Sequence, residues 1–192
     1  MTPKIFIISG PGGSGKTTLL DALFRRKIFK KNFIRTISMT TRPRRSGERN
    51  GKDYFFTTHE DFLARKRKGF FLESQKVLAN YYGTPKFFYA QAIAENKSLI
   101  LCIDVKGGMY LKKSPRVGTI NTIFITAPTD KELYRRLAGR AESKEFIKRR
   151  LVLAKEELKY ARYYDYVVVN STVKTALVDL EKVLCASQEE ER

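Results

Sequence analysis

The segment Gly10–Thr17 has the residue types and the spacing of a loop that wraps around phosphate. It reads Gly10-Pro11-Gly12-Gly13-Ser14-Gly15-Lys16-Thr17, which matches the pattern Gly-x-x-x-x-Gly-Lys-Ser/Thr. The glycines let the backbone fold back, so that successive N–H groups point inward toward an anion. Lys16 then reaches the β- and γ-phosphates of a nucleotide, and Thr17 offers its hydroxyl to Mg²⁺. The sequence therefore predicts a nucleotide site that uses Mg²⁺.

The residues on both sides of this loop strengthen the prediction. The apolar run Ile5–Ile8 predicts a strand before the loop, and Leu19, Leu20, Leu23 and Phe24 belong to a helix-like stretch after it. An ordinary glycine-rich turn between a strand and a helix is the alternative. The full motif with both flanks favours phosphate binding, although the loop alone names no reaction.

The order of apolar runs predicts the fold that positions the loop. Continuous, β-branched runs lie at Ile5–Ile8, Leu99–Ile103, Ile120–Ile125 and Tyr166–Val169, with segments of helical periodicity between them. Parallel strands that are buried on both faces have this pattern, and strands that alternate with helices are typical of βα units. We therefore expect an α/β fold with a parallel sheet flanked by helices.

Capping patterns mark where helices begin. Thr129, with Glu132 three residues later, is a predicted helix cap, and Thr58 is another. An apolar stripe predicts a long helix from about Lys144 to Arg162. The single histidine, His59, falls in an exposed first turn, and we assign it no catalytic role because no partner motif surrounds it.

The composition favours one globular domain in a reducing compartment. The chain has 192 residues, enough to bury a hydrophobic core without disulfides or metals to stabilise it. Its two cysteines, Cys102 and Cys185, form no disulfide framework. No apolar stretch approaches the length of a membrane span, and no signal-peptide pattern precedes the first strand. We expect a cytoplasmic protein without a membrane partner, and the sequence leaves its oligomeric state open.

The net charge of +18 has two interpretations. A chain this basic is able to bind nucleic acid. A nucleotide-handling enzyme also needs many cations, because its ligands carry several negative charges. No aromatic-basic single-strand motif and no groove-reading helix accompanies the charge, so we do not expect nucleic acid as a partner.

The segment Ser38–Tyr54 resembles the signature of the guanylate kinase family. Phe70–Glu73 and Asn80–Thr84 resemble that family too, at its usual separation from the signature. Further matches lie at Ile103–Gly107, Leu137–Arg140, Lys148–Leu151 and Val168–Asn170. The resemblance thus covers nearly the whole chain in collinear order. The glycine loop is common to many families, whereas the middle signatures are specific to this one.

The resemblance implies a reaction and a division of the chain. The family transfers the γ-phosphate of ATP reversibly to GMP, giving ADP and GDP, so ATP and GMP are the expected partners. The implied architecture is one domain, 1–192, whose core comprises residues 1–34, 86–128 and 164–192. A small mixed β/α region that binds GMP maps onto 35–85, and a mobile helical lid maps onto 129–163.

Site residues follow from the resemblance position by position. For ATP they are the loop with the next threonine and a strand-end asparagine: Gly10, Pro11, Gly12, Gly13, Ser14, Gly15, Lys16, Thr17, Thr18 and Asn170. For GMP they are Ser38, Arg42, Arg45, Tyr54, Glu73, Tyr82, Gly83, Thr84 and Asp104. The implied catalytic groups are Lys16, Arg42, Arg140 and Arg150, with Arg150 favoured over Arg149, and the metal groups are Thr17 and Asp104. For Asp104 and Asn170, which each end a strand, capping of the following loop is the alternative role.

The chemistry of guanine supports two of these assignments independently. Guanine presents N1–H and N2–H₂ side by side, next to the O6 acceptor. A carboxylate such as Glu73 accepts both donors, and a hydroxyl such as Thr84 donates to O6. Adenine lacks both donors and would leave a buried carboxylate unpaired, at a cost of about 2–5 kcal/mol.

Two positions depart from the family pattern. The family usually has an acid two residues before the position of Asp104, where this chain has Cys102, and a thiol is no charged acceptor. The proline after the paired threonines falls one place early, so that Pro43 restricts Arg42 to extended geometry. We expect either change to weaken GMP affinity without abolishing the activity.

Two other classes of function compete with the enzyme. Guanylate-kinase-like modules that recruit proteins typically lose the phosphate loop, whereas Gly10–Thr17 is intact. A basic protein that binds both NTP and nucleic acid is the second alternative, and steep salt-dependent retention on DNA distinguishes it.

Overall fold

The computed structural model describes residues 2–114, 118–139 and 144–189. Contacts divide the chain into two compact units, Met1–Ile7 with Lys31–Asn121 and Ile8–Lys30 with Thr122–Arg192. The strands are β1 Ile5–Ser9, β2 Phe33–Arg35, β3 Met39–Thr40, β4 Phe55–Phe56, β5 Phe71–Val77, β6 Asn80–Pro85, β7 Ser98–Cys102, β8 Ile120–Thr126 and β9 Tyr166–Val169. The helices are α1 Lys16–Leu23, α2 Lys27–Asn32, α3 His59–Arg67, α4 Phe87–Glu95, α5 Val105–Lys112, α6 Asp130–Ala138, α7 Lys144–Leu158 and α8 Val173–Glu189.

The strands form two sheets in the described part of the chain. The first has the order β2-β7-β1-β8-β9, and its pairs β2/β7 and β8/β9 are parallel. The second has the order β4-β3-β6-β5 and is mixed, since β3 pairs parallel with β4 but antiparallel with β6. All four predicted strands are present, and the predicted α/β class with a parallel core sheet is confirmed.

Among the described residues of the first unit, an apolar cluster lies between helix α4 and the parallel sheet. Helix α4 packs on β2 and β7, and their side chains bury Ile34, Phe88, Leu99 and Leu101. Strands β2 and β7 are neighbours and parallel, so the residues that follow Arg35 and Cys102 lie at the same edge. In open α/β sheets this carboxyl edge is where ligands bind.

The mixed sheet aligns side chains of the predicted GMP region. Strands β5 and β6 are antiparallel, with Glu73 opposite Thr84 and Gln75 opposite Tyr82, and the register shifts between Phe71 and Glu73. On this sheet the ring of Phe62, from α3, stacks on that of Phe71 at a centroid distance of 4.5 Å. The aromatic cluster therefore supports the sheet on which Glu73 lies.

The second unit carries the glycine loop and the helices of the predicted lid region. Helices α6 and α7 pack on each other around Leu133, Leu137 and Ala154. Both predicted caps are confirmed, because Thr129 Oγ1 accepts from the N–H of Glu132 at 3.1 Å and Thr58 caps α3 in the same way.

Helix α7 is shorter than its apolar stripe predicts. It ends at Leu158, and a 3-10 turn follows over Ala161–Tyr163. There each backbone N–H bonds the carbonyl three residues earlier instead of four. Tyr160 N–H donates to the Glu157 carbonyl, and Tyr163 N–H donates to the Tyr160 carbonyl. Such bonds tighten the last turn and end the α-helix. Within the described residues, no helix combines the length and the apolar character needed to cross a bilayer.

A polar pair, Asp165 and the buried Thr122, attaches the start of β9 to β8. The Asp165 carboxylate accepts from the backbone N–H of Thr122 at 2.8 Å and from its hydroxyl at 2.7 Å. Thr122 is fully buried. We expect Asp165→Ala to lower the free energy of unfolding by about 2–3 kcal/mol, because it leaves buried donors unpaired. Urea denaturation of the variant measures this, with Asp179→Ala, at an exposed position of α8, as the control. Equal stability of the two variants would contradict the prediction.

Candidate active site

The phosphate loop lies between β1, which ends at Ser9, and α1, which begins at Lys16. This is the predicted order of strand, loop and helix. The Lys16 ammonium lies over the loop, donating to the carbonyl oxygens of Gly10 at 2.6 Å and Pro11 at 3.0 Å. Thr17 and Thr18 are in the first turn of α1 with exposed side chains. The charged and hydroxyl groups of the motif are thus collected around one short loop.

Asn170, at the end of β9, supports this loop. Its side-chain amide donates to the Ser14 carbonyl at 2.8 Å, and its own carbonyl accepts from Arg136 at 3.0 Å. A methyl group on Gly15 would collide with the same amide nitrogen, so only glycine permits this close approach. The contact with adenine that the resemblance implies for Asn170 stays a prediction.

The two candidate arginines of α7 differ in their surroundings. Arg149 is 68% exposed and pairs with Glu145 one turn earlier on the helix. A methyl group built on Gly12 would lie 3.9 Å from Nη1 of Arg150, so the Arg150 side chain lies beside the phosphate loop. The catalytic role of Arg150 stays a prediction. Arg140 lies outside the described residues.

Glu73 and Thr84 form a buried pair in the first unit. The Thr84 hydroxyl donates to Glu73 Oε1 at 2.8 Å, and the glutamate is 4% exposed. Burial raises the pKa of Glu73 to about 7, and the nearby charge of Asp104 adds to this, against the hydrogen bond from Thr84. A carboxylate so poorly solvated interacts strongly with any donor that reaches it.

Asp104 is the N-cap of α5 and lies beside Glu73. Its Oδ1 accepts from the N–H groups of Lys106 at 2.8 Å and Gly107 at 3.2 Å. Burial raises the pKa of Asp104, although these two hydrogen bonds oppose the rise. A methyl group on Gly107 would lie 2.7 Å from Glu73 Oε2, so the absence of a side chain there lets α5 approach the carboxylate.

The residues predicted for the GMP phosphate lie together around Arg42. Its guanidinium is 5.3 Å from the ring centroid of Tyr54, and the Tyr54 and Tyr82 rings are 6.1 Å apart. Burial raises the pKa of Tyr54 to about 12, which keeps its phenol a hydrogen-bond donor at neutral pH. Ser38 is buried, and its carbonyl accepts from the N–H of Phe55, next to Tyr54.

The remaining predicted GMP residues have less distinctive surroundings. Arg45 is half-buried, and Gly83 is buried opposite Met39 and Ser74 in the mixed sheet. Cys102 is half-buried at the end of β7, close enough to Tyr54 to contribute to its raised pKa. Neither cysteine is in a disulfide.

Sequence reasoning assigned no role to two residues that contact the predicted site. Gly107 borders Glu73, and Glu48 binds Arg42 through its carboxylate at 2.6 Å. The available signal for Glu48 was its position in the same signature, three residues after Arg45, which is the spacing of a turn.

Comparisons with known proteins identify the family. The guanylate kinase family model matches residues 2–187. Guanylate kinase of Lactococcus lactis is 40% identical over 183 residues, covering 94% of this chain and 86% of that protein. Guanylate kinase of Chlamydia trachomatis is 42% identical over 188 residues, covering 97% of this chain and 89% of that protein. The crystal structure of guanylate kinase from Anaplasma phagocytophilum superposes with a TM-score of 0.81 at 29% identity, covering 99% of this chain and 88% of that one.

The family model covers nearly the whole chain, and relatives near 40% identity and a solved structure match it as well. The chain therefore belongs to the guanylate kinase family, and it is an enzyme of the nucleoside monophosphate kinase type with guanylate kinase activity.

Proposed function

We propose that the phosphate loop of the second unit holds ATP, that the Glu73 and Arg42 side chains of the first unit hold GMP, and that the γ-phosphoryl group passes from one nucleotide to the other. The observation that carries the assignment of GMP is the buried pair of Glu73 and Thr84. A carboxylate that is 4% exposed selects for a base with adjacent N–H donors.

Guanine binding exchanges hydrogen bonds at this pair. The Thr84 hydroxyl donates to Glu73 Oε1 before the base arrives. N1–H and N2–H of guanine then donate to the carboxylate, and the Thr84 hydroxyl is released to donate to O6. Every buried polar group keeps a partner in this exchange, whereas adenine would bring no donor to the carboxylate.

The acceptor phosphate binds at Arg42, Arg45, Ser38, Tyr54 and Tyr82. A guanidinium clamps two phosphate oxygens at once, and phenolic hydroxyls donate to the same group. The tyrosines also pack the small sheet, as the contacts between their rings indicate. One set of side chains thus serves both packing and binding.

Phosphoryl transfer needs alignment and charge neutralisation more than it needs acid–base chemistry. Lys16 acts on the β- and γ-phosphates, and Arg140 and Arg150 act on the group in transfer. The GMP phosphate that attacks is already an anion, so no general base is needed. We assign no nucleophilic or proton-transfer role to His59 or to either cysteine.

Mg²⁺ fits the chemistry of the phosphate loop. Among residues 2–114, 118–139 and 144–189 no three His, Cys, Asp or Glu side chains are grouped to hold a metal ion. Mg²⁺ typically takes few protein ligands and binds substrate phosphates and water, so the exposed hydroxyl of Thr17 is a suitable ligand. When bound, the ion neutralises charge on the phosphates. Asp104 is the second candidate, with its Oδ1 already accepting two N–H groups.

The same residues argue against the two alternative functions. A protein-recruiting module does not need the Lys16 contacts of an intact phosphate loop. A nucleic-acid partner has only the net charge of +18 in its favour.

Nucleotide substrates and two cysteines without a disulfide support a cytoplasmic enzyme. An assay with ATP, Mg²⁺ and each of GMP, AMP, UMP and dTMP tests the substrate, and equal rates would refute it.

Replacing Lys16 tests the ATP site. We expect Lys16→Ala to lower kcat with GMP by at least about 100-fold, because the phosphates lose their nearest charge in the transition state. The thermal midpoint should stay close to that of the parent. Lys174→Ala, at an exposed position of α8, is the control for the loss of one positive charge. A kcat within threefold of the parent would remove Lys16 from the mechanism.

Replacing Glu73 tests base selection. We expect Glu73→Gln to raise the KM for GMP by about 10- to 100-fold and to reduce the preference for GMP over AMP, since an amide presents only one acceptor oxygen. The KM for ATP should not change. Glu95→Gln, at an exposed position of α4, removes the same charge elsewhere in this unit. Unchanged discrimination against AMP would mean that another residue reads the base.

The pKa of Glu73 predicts a pH dependence. Because it is raised to about 7, the folded protein holds this proton more tightly than the unfolded chain. The resulting stability is present below the unfolded pKa of about 4.3 and is lost as pH rises through 7. Guanosine, which has no phosphate to titrate, binds the ionised form, so its affinity should rise about tenfold from pH 6 to 8. Calorimetric titration measures this; Glu73→Gln should abolish the rise, and a flat profile for the parent would contradict the assignment.

A further inference from the structure

We propose that Glu48 is a positioning residue that holds Arg42 in the orientation in which it binds the GMP phosphate. The inference rests on the proposed role of Arg42. Glu48 Oε1 accepts from Arg42 Nη2 at 2.6 Å, and Glu48 Oε2 accepts from the backbone N–H of Arg45 at 2.8 Å. One carboxylate therefore joins the side chain of one phosphate-binding arginine to the backbone of the other.

The orientation of Arg42 is fixed from several sides. Its guanidinium lies 5.3 Å from the Tyr54 ring centroid and 5.8 Å from that of Phe56. Nη1 donates to the Pro43 carbonyl at 2.7 Å, and Nη2 binds Glu48. The Arg42 side chain is only 9% exposed, so these contacts replace most of its water. A guanidinium has five N–H donors, and two are used here, which leaves three for a phosphate.

Local turn geometry brings the carboxylate to this place. The N–H of Glu48 donates to the Arg45 carbonyl at 3.2 Å, so residues 45–48 form a turn. Because the turn reverses the chain, the Glu48 side chain points back to the N–H of Arg45 and across to Arg42. Burial raises the pKa of Glu48, but hydrogen bonds from Arg42 and Arg45 outweigh it, so the pKa is lowered overall and the group stays ionised at neutral pH.

Two opposite effects on GMP binding follow from this carboxylate. Its charge repels the phosphate dianion, and on that ground alone its removal would tighten binding. Its hydrogen bonds also hold a long, flexible side chain in place before the ligand arrives, which saves the cost of ordering that side chain. Since the guanidinium is buried against two rings, its direction decides whether the three remaining donors reach the phosphate. We therefore expect the positioning effect to be larger.

Glu48→Gln keeps the shape of the side chain and removes its charge and one acceptor. We expect the KM for GMP to rise about tenfold, with kcat within about twofold and the KM for ATP unchanged. The Kd of guanosine, which has no phosphate, should not change, and this separates an effect through Arg42 from damage to the base site. Glu95→Gln is the control for net charge and should leave all four constants unchanged.

A double-mutant cycle with Arg42→Lys tests whether Glu48 acts through Arg42. In the Arg42→Lys background, Glu48→Gln should change the KM for GMP by less than about twofold, because the residue that it positions is absent. Full additivity, tighter GMP binding or an equal loss of guanosine binding would each overturn the proposal. If Arg42→Lys alone leaves the KM for GMP unchanged, the assigned role of Arg42 fails. If Arg42→Lys raises the KM for GMP but Glu48→Gln does not, the positioning role of Glu48 fails and the role of Arg42 stands.

Discussion

Burial of the Glu73 carboxylate is the constraint on which the proposed base selectivity depends. A carboxylate that is 4% exposed loses most of its hydration, which is why its pKa is raised to about 7. It is tolerated because Thr84 donates to it and because Gly107 leaves room for it beside α5. In the proposed site, a base with two adjacent donors would recover the free energy lost by this burial. The cost of burial and the proposed selectivity thus belong to the same carboxylate.

The mixed sheet connects the proposed base site to the proposed phosphate site through strand register. Thr84 lies opposite Glu73, and two residues earlier on β6 Tyr82 pairs with Thr40 of β3, which leads directly to Arg42. A slip of one residue between these strands would turn each side chain to the other face of the sheet. The buried ring stack of Phe62 on Phe71 opposes such a slip, so aromatic packing indirectly supports both proposed contacts with GMP.

Sequence patterns anticipated the features that depend on neighbouring residues. The strand before Gly10, the helix that begins at Lys16 and the cap at Thr129 all follow from local periodicity and spacing, and all are present. The contact of Asn170 with the loop joins residues 156 positions apart, and no local pattern encodes it. The early end of α7 likewise depends on a change of backbone hydrogen bonding that the apolar stripe conceals.

The net charge of +18 belongs to the whole chain and does not measure the positive charge available to a ligand at the proposed site. Lys16 donates to two loop carbonyls, and Arg42 donates to Glu48 and to the Pro43 carbonyl. A phosphate that binds must either displace these acceptors or use the donors that they leave, so its affinity reflects an exchange of partners rather than attraction alone. A cation held in this way favours anions in one position. An anion placed elsewhere gains less interaction energy than is lost from the internal hydrogen bond that it breaks. In the proposed site, the internal acceptors would therefore favour selectivity over affinity.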